Sequence, residues 1–219
     1  MPNIVKNTTL PSLLDILAPH SCRGCGRIGN VLCNRCKNNI ILENSDIKIK
    51  TPKSFPPIFV AGQRIGLLDN LIQDLKYHSV RAVAKTLAIL LHQTLPRFEP
   101  STTIVPLPTI SKHIRSRGLD HTLLISKHFA KIRHFKVEKL LIRNQNTVQV
   151  GTDRHTRIKQ AAKAYSINPS IKVNPDTTYI LFDDVWTTGA SMKAAVKKLR
   201  QAGAKKIIVT ILAVGSINQ

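Results

Sequence analysis

Two groups of residues in this sequence could do chemistry. All four cysteines, Cys22, Cys25, Cys33 and Cys36, fall in two Cys-x-x-Cys pairs separated by seven residues. Each pair can turn two thiolates toward one metal, and two pairs complete a tetrahedral set. Four thiolates leave no open coordination position, so such a metal is structural rather than catalytic. Zinc is expected, with iron as the competing four-thiolate metal. Redox work by one pair would leave the second pair without a purpose. The short spacer demands a compact knuckle, and Gly24 and Gly26 suit its tight backbone.

The second group is Ile180-Leu181-Phe182-Asp183-Asp184-Val185-Trp186-Thr187-Thr188-Gly189-Ala190-Ser191. An apolar strand ends on two acids, a hydroxyl-rich turn follows, and a helix opens. In open α/β sheets, ligands bind beyond the carboxyl ends of the strands. Backbone amides of Thr187, Thr188, Gly189, Ala190 and Ser191 at a helix N-terminus can bind a phosphate, helped by the helix dipole and the hydroxyls. Carboxylates at Asp183 and Asp184, next to that phosphate, suit vicinal ribose hydroxyls, directly or through Mg²⁺. Adjacent acids at the end of an apolar strand are costly unless a ligand or metal compensates them. The segment is neither the Gly-rich dinucleotide turn nor a P-loop, which needs Gly-Lys-Ser/Thr.

These groups need elements to hold them. Leu10 to Leu17 reads as a short helix ahead of the cysteines, and the polar stretch from Asn38 to Pro57 as a linker. Apolar residues at helical spacing from Leu67 to Leu95 predict two helices divided at His78-Ser79, with Ser79 as N-cap. Thr102 to Leu107 reads as a strand, Leu119 to Ile132 as a helix, and Val137 to Ile142 as a strand. Thr178 to Phe182 and Lys206 to Val214 are continuous apolar runs of the kind buried on both faces of a parallel sheet. Between them Ser191 to Ala202 reads as a helix, with Gly203 after its end. The alternation implies an α/β fold with a doubly wound, mostly parallel sheet. Residues 1–50 are assigned to the cysteine module with its helix and linker, and 51–219 to the main domain.

The chain of 219 residues carries a formal charge of +21. Between Ser111 and Pro175 it has 14 Lys or Arg against three acids. Such a surface attracts polyanions: nucleic acid, anionic lipid or phosphorylated substrates. No apolar run reaches the roughly 20 residues that span a bilayer, so membrane insertion is not expected. The start lacks a signal-peptide pattern. A cytoplasmic protein with reduced thiols is the expectation.

Asp183 to Ser191 resembles the phosphoribosyl pyrophosphate signature of type I phosphoribosyltransferases. With the cysteine module, the chain from about Leu10 to Val214 resembles the ComF family. Further landmarks fall in order: Leu75-Lys76-Tyr77, Val105-Pro106-Leu107-Pro108, Arg115-x-Arg117-Gly118, and an Arg143…Gln149…Arg157 stretch ending near Ala164-Tyr165. The resemblance implies a type I phosphoribosyltransferase-like fold with a small N-terminal zinc-binding module. It implies that Thr187 to Ser191 bind the 5-phosphate of phosphoribosyl pyrophosphate with Mg²⁺, and that Asp183 and Asp184 bind its ribose hydroxyls. Lys76, Arg115 and Arg117 are implied pyrophosphate contacts, the last two on a mobile basic loop. It further implies a role in natural transformation, handling single-stranded DNA with a competence helicase, in which Tyr77, Tyr165 or Trp186 could stack bases. The alternative is phosphoribosyl transfer to a small nitrogenous acceptor with no DNA role. The chain departs from the family where Leu119-Asp120-His121 replaces the usual Phe-Asn-Gln and where Gln160 stands for the usual Asn. Trp186 is large for the turn. No obvious nucleophile or general base for the acceptor stands out; His121 is a candidate, although a lone His in a basic loop is ordinarily a surface residue.

Overall fold

The computed structural model describes residues 20–42, 47, 49–144 and 164–215. The expected helix over Leu10–Leu17, and Gln149, Arg157 and Gln160, lie outside them. The described chain runs α1 (Asn34–Leu42), β1 (Ile58–Gln63), α2 (Gly66–Tyr77), α3 (Ala82–Thr94), β2 (Thr103–Pro106), α4 (Ser111–Arg117), α5 (His121–Arg133), β3 (Lys136–Val137), β4 (Leu141–Arg143), β5 (Tyr165–Ile167), β6 (Thr178–Trp186), α6 (Ala190–Gln201) and β7 (Lys206–Val214).

Five strands form one sheet in the order β1-β7-β6-β2-β3, and each of its pairings is parallel. Side chains alternate along these strands. Ile180 and Phe182 of β6 join Leu68, Leu71, Ile72 and Leu75 of α2, together with α3 and α5, in one apolar layer. Tyr179 and Leu181 join Met192, Ala195 and Leu199 of α6 in the layer on the other face. Each fully buried Leu or Ile contributes about 1.5–3 kcal/mol relative to exposure. The sheet is therefore doubly wound, as its two-sided apolar runs required. Chain paths leave β2 and β6 in opposite directions, β2 toward β3 and β6 toward β7. Their C-terminal ends bracket a topological switch point, where such folds take ligands.

Local details depart from the sequence pattern. The strand expected over Val137–Ile142 is two strands: β3 pairs with β2 for two residues, then the chain leaves the sheet and β4 pairs antiparallel with β5. β1 carries no strong period-2 pattern, because its first three residues are only half buried at the sheet edge. Ser79 does not cap α3. It sits at φ 55°, its hydroxyl donates to the Arg117 carbonyl at 3.0 Å, and Arg81 stands at the cap position. The segment read as a linker begins inside α1, which buries Ile40. The basic segment after β2, expected as a mobile loop, is the helix α4, closed by Gly118 in the left-handed conformation.

Candidate functional site: an acid-tipped turn and a four-cysteine knuckle

β6 runs on through both acids to Trp186, two residues further than Asp184. The chain then turns through Thr187 and Thr188 into α6, whose N-cap is Gly189 at φ 71°. A Cβ on Gly189 would lie 2.2 Å from a ring carbon of Trp186, so the indole packs directly on the glycine. Only glycine satisfies both the backbone angle and the contact. Thr187 and Thr188 are exposed and Ser191 is half buried. With Asp183 and Trp186 they border a cavity of about 60 Å³ at the opening of α6.

The two acids point to opposite sides of β6, as consecutive strand residues must. Asp183 borders the cavity of the turn and accepts a hydrogen bond from the Asp184 N–H at 2.9 Å. Burial, and then the neighbouring Asp184 charge, raise its carboxyl well above the usual range. Asp184 is 5% exposed and lies in the layer of α2 and α5. Its Oδ2 is 2.5 Å from Lys76 Nζ and 3.0 Å from His121 Nε2. Burial alone would raise this carboxyl, but His121 and the Lys76 charge outweigh it and hold it low.

The ligand atoms of Cys22, Cys25, Cys33 and Cys36 all lie within 4.8 Å of one another, so the four could hold one metal ion. Cys25 Sγ and Cys33 Sγ are 3.7 Å apart, near the roughly 3.8 Å edge that four Zn–S bonds of about 2.3 Å would set. Burial opposes ionisation of Cys22, yet the backbone N–H groups of Cys33, Cys25 and Gly24 lower its thiol to about 6. The Cys33 thiol, followed by burial, pushes Cys36 up to about 12. The knuckle is welded to the main core. Cys22, Cys36, Val31 and Leu32 join the α2–α3 layer, and Arg23 pairs with Asp74 of α2 at 2.7 Å. A Cβ on Gly24 would meet Cys36 Sγ at 2.8 Å and Leu67 at 2.9 Å, so the knuckle approaches α2 through its own backbone.

The paired thiolates, the acid-tipped strand and the parallel sheet now stand together in one chain. The chain is similar to competence protein F. The relative from Haemophilus influenzae (strain ATCC 51907 / DSM 11121 / KW20 / Rd) is 25% identical over 203 residues, covering 86% of this chain and 83% of that protein. No family model matches the chain. Among solved structures, it is similar to the allosteric regulatory enzyme of purine biosynthesis (21% identity, TM-score 0.40). It is also similar to the glutamine phosphoribosylpyrophosphate amidotransferase of B. subtilis complexed with ADP and GMP (20% identity, TM-score 0.40). Each of these covers 58% of this chain, which spans a quarter of the length of either.

Of the ComF-like landmarks, Lys76 closes on Asp184, while Arg115 is exposed on α4. Arg117 lies over the ring of Tyr77, 5.1 Å from its centroid, and Tyr77 is 62% exposed. Tyr165 and Trp186 are buried, at 1% and 5% exposure, and so cannot stack bases as the sequence suggested. The sequence also ranked His121 as a surface residue, whereas it is 5% exposed and faces Asp184. Its position directly after the N-cap Asp120, whose side chain accepts from the Leu123 N–H, was the available signal. Arg143, a landmark of the sequence, was given no partner there. It donates to the Tyr165 hydroxyl at 2.7 Å, and that hydroxyl reaches Ser191 of the turn. Among the described residues, no helix is long and apolar enough to cross a membrane.

Proposed function

We propose that this chain binds phosphoribosyl pyrophosphate with Mg²⁺ at the end of β6, and serves the handling of single-stranded DNA during DNA uptake. The observation that carries the ligand reading is the small cavity at the α6 N-terminus, edged by exposed threonine hydroxyls and one carboxylate. It has the size and donors for a phosphate group, and the first turn of a helix offers N–H groups without intrahelical partners. The 5-phosphate is assigned to Thr187, Thr188, Gly189, Ala190 and Ser191, and ribose hydroxyls to Asp183. Arg115 and Arg117 are our proposed pyrophosphate contacts.

Mg²⁺ fits this donor set. The carboxylate of Asp183 beside the turn, with the ligand's own phosphate oxygens, is the hard oxygen set such a cation takes. When bound, it would neutralise charge on the departing pyrophosphate. The chain's own task is to fix the 5-phosphate in the turn and the ribose on Asp183, so that C1 faces an acceptor. We assign the protein as a phosphoribosyltransferase with an unidentified acceptor. Turnover on a small nitrogenous acceptor, without DNA, is the competing outcome.

The DNA reading is supported by the +21 charge and the likeness to competence protein F. Tyr77, exposed and flanked by Arg117, is the aromatic that the fold leaves available for a base. A competence helicase is the expected partner and the cytoplasm the expected compartment. A structural zinc is assigned to the four cysteines. Calorimetry with phosphoribosyl pyrophosphate and Mg²⁺ tests the ligand, and pyrophosphate release across nucleobases, amines and DNA tests transfer. A single-stranded DNA affinity that stays flat across a salt series would rule out backbone binding.

A further inference from the structure

We propose that the two adjacent acids divide two tasks: Asp183 alone meets the ligand, and Asp184 is a positioning residue in a buried clasp with Lys76 and His121. The ligand half of this division rests on the ribose-phosphate reading above; the clasp half does not.

The division follows from the pleat. Consecutive side chains of a regular strand leave on opposite faces, and β6 keeps its parallel register with β7 from Thr178 through Trp186. Asp183 therefore opens onto the turn with Thr187, Thr188 and Ser191, and Asp184 opens onto α2 and α5. There its surroundings are closed. Asp184 and His121 are each 5% exposed, and the Lys76 side chain is 15% exposed. An unpaired carboxylate at that depth would be strongly disfavoured. Lys76 supplies the compensating charge from the last turn of α2, and His121 supplies an imidazole nitrogen from the first turn of α5. Both contacts are close, so a lysine charge and an imidazole nitrogen hold this carboxylate together.

The clasp sits where it can shape the ligand's surroundings. Lys76 immediately precedes Tyr77, which carries the Arg117 guanidinium, and Ser79 and Arg81 tie the same corner to the Arg117 and Gly118 carbonyls. Fixing Lys76 on β6 thereby fixes the basic corner relative to the turn. Lys76 is consequently engaged with Asp184 and is not a free pyrophosphate ligand.

The test compares purified full-length Asp183→Asn, Asp184→Asn, Lys76→Met, His121→Gln and His121→Leu proteins and the Lys76→Met/Asp184→Asn double variant. Each is measured by thermal unfolding and by calorimetric titration with phosphoribosyl pyrophosphate and Mg²⁺. Asp183→Asn should weaken binding about 30-fold or more, with an unfolding midpoint no lower than wild type. Asp184→Asn should lower the midpoint and weaken binding only about three- to five-fold. The double variant should recover much of the midpoint lost by either single change, because neither charge is left buried alone. His121→Gln, which keeps an N–H donor, should retain affinity that His121→Leu loses. Equal loss of affinity in Asp183→Asn and Asp184→Asn with unchanged midpoints would overturn the division, as would additive midpoint losses in the double variant. If wild type binds no phosphoribosyl pyrophosphate, the ligand role of Asp183 falls with the proposed function, and the unfolding cycle alone decides the clasp.

Discussion

The thiolate knuckle and the acid turn encode their geometry in opposite ways. In the knuckle, four ligands lie within fifteen residues, and their spacing nearly dictates where the sulfurs meet. In the turn, local sequence supplies the carboxylates but not their duties. Those depend on which face of β6 each one takes, and on Lys76 and His121, which arrive from two distant helices. A metal motif can thus be read at short range, whereas an acid pair on a strand must be read together with both layers that cover it.

The sharpest way to break the comparison is to remove one knuckle ligand. Cys33→Ser should release the metal and lower the unfolding midpoint by roughly 10 °C, since structural zinc supplies folding energy and about 3–4 kcal/mol converts at about 2–4 °C each. Metal analysis and a thermal melt check both parts. Full metal content and an unchanged midpoint would mean the knuckle is not a four-thiolate site. In the turn, Gly189→Ala should cost about 2 kcal/mol, because it combines a left-handed backbone with a Cβ overlapping the Trp186 ring. A melt should show the loss, and ligand affinity should fall with it.

What the sequence made legible follows the same division. The runs Thr178–Phe182 and Lys206–Val214 announced buried parallel strands, because both of their faces are covered by apolar layers. The helix opening at the turn was legible from its hydroxyls and glycine. β1 was not, since an edge strand with half-buried residues lacks a clear pattern. His121 was hidden because its burial comes from α5 meeting Asp184 on β6; the N-cap Asp120 beside it marks where the helix starts but not what covers it. Ser79 was misread because its hydroxyl serves a carbonyl in α4 rather than its own helix.

A pH series sharpens the contrast between the two acids. Asp184 titrates below its ordinary value, so its contribution to stability is present above about pH 4 and fades as pH falls further. The deficit of Asp184→Asn relative to wild type should therefore shrink in acid. Asp183 is raised, so its favourable contribution is complete below about pH 4 and is lost as pH rises through its folded-state value. Asp183→Asn should consequently melt slightly above wild type at neutral pH, with the gap closing in acid. The smallest effect on folding is expected from Tyr77→Ala, which should leave the midpoint unchanged yet weaken single-stranded DNA binding about five-fold, the loss of one stacked base.

The most direct measurement is a calorimetric titration of the wild-type protein with phosphoribosyl pyrophosphate in the presence of Mg²⁺, with Gly189→Ala as the paired control. Saturable binding at one site per chain, weakened at least tenfold by the added methyl, is the expected result. Absence of binding by the wild-type chain, or equal affinity in the variant, would contradict the placement of a ribose phosphate at the turn after Asp183.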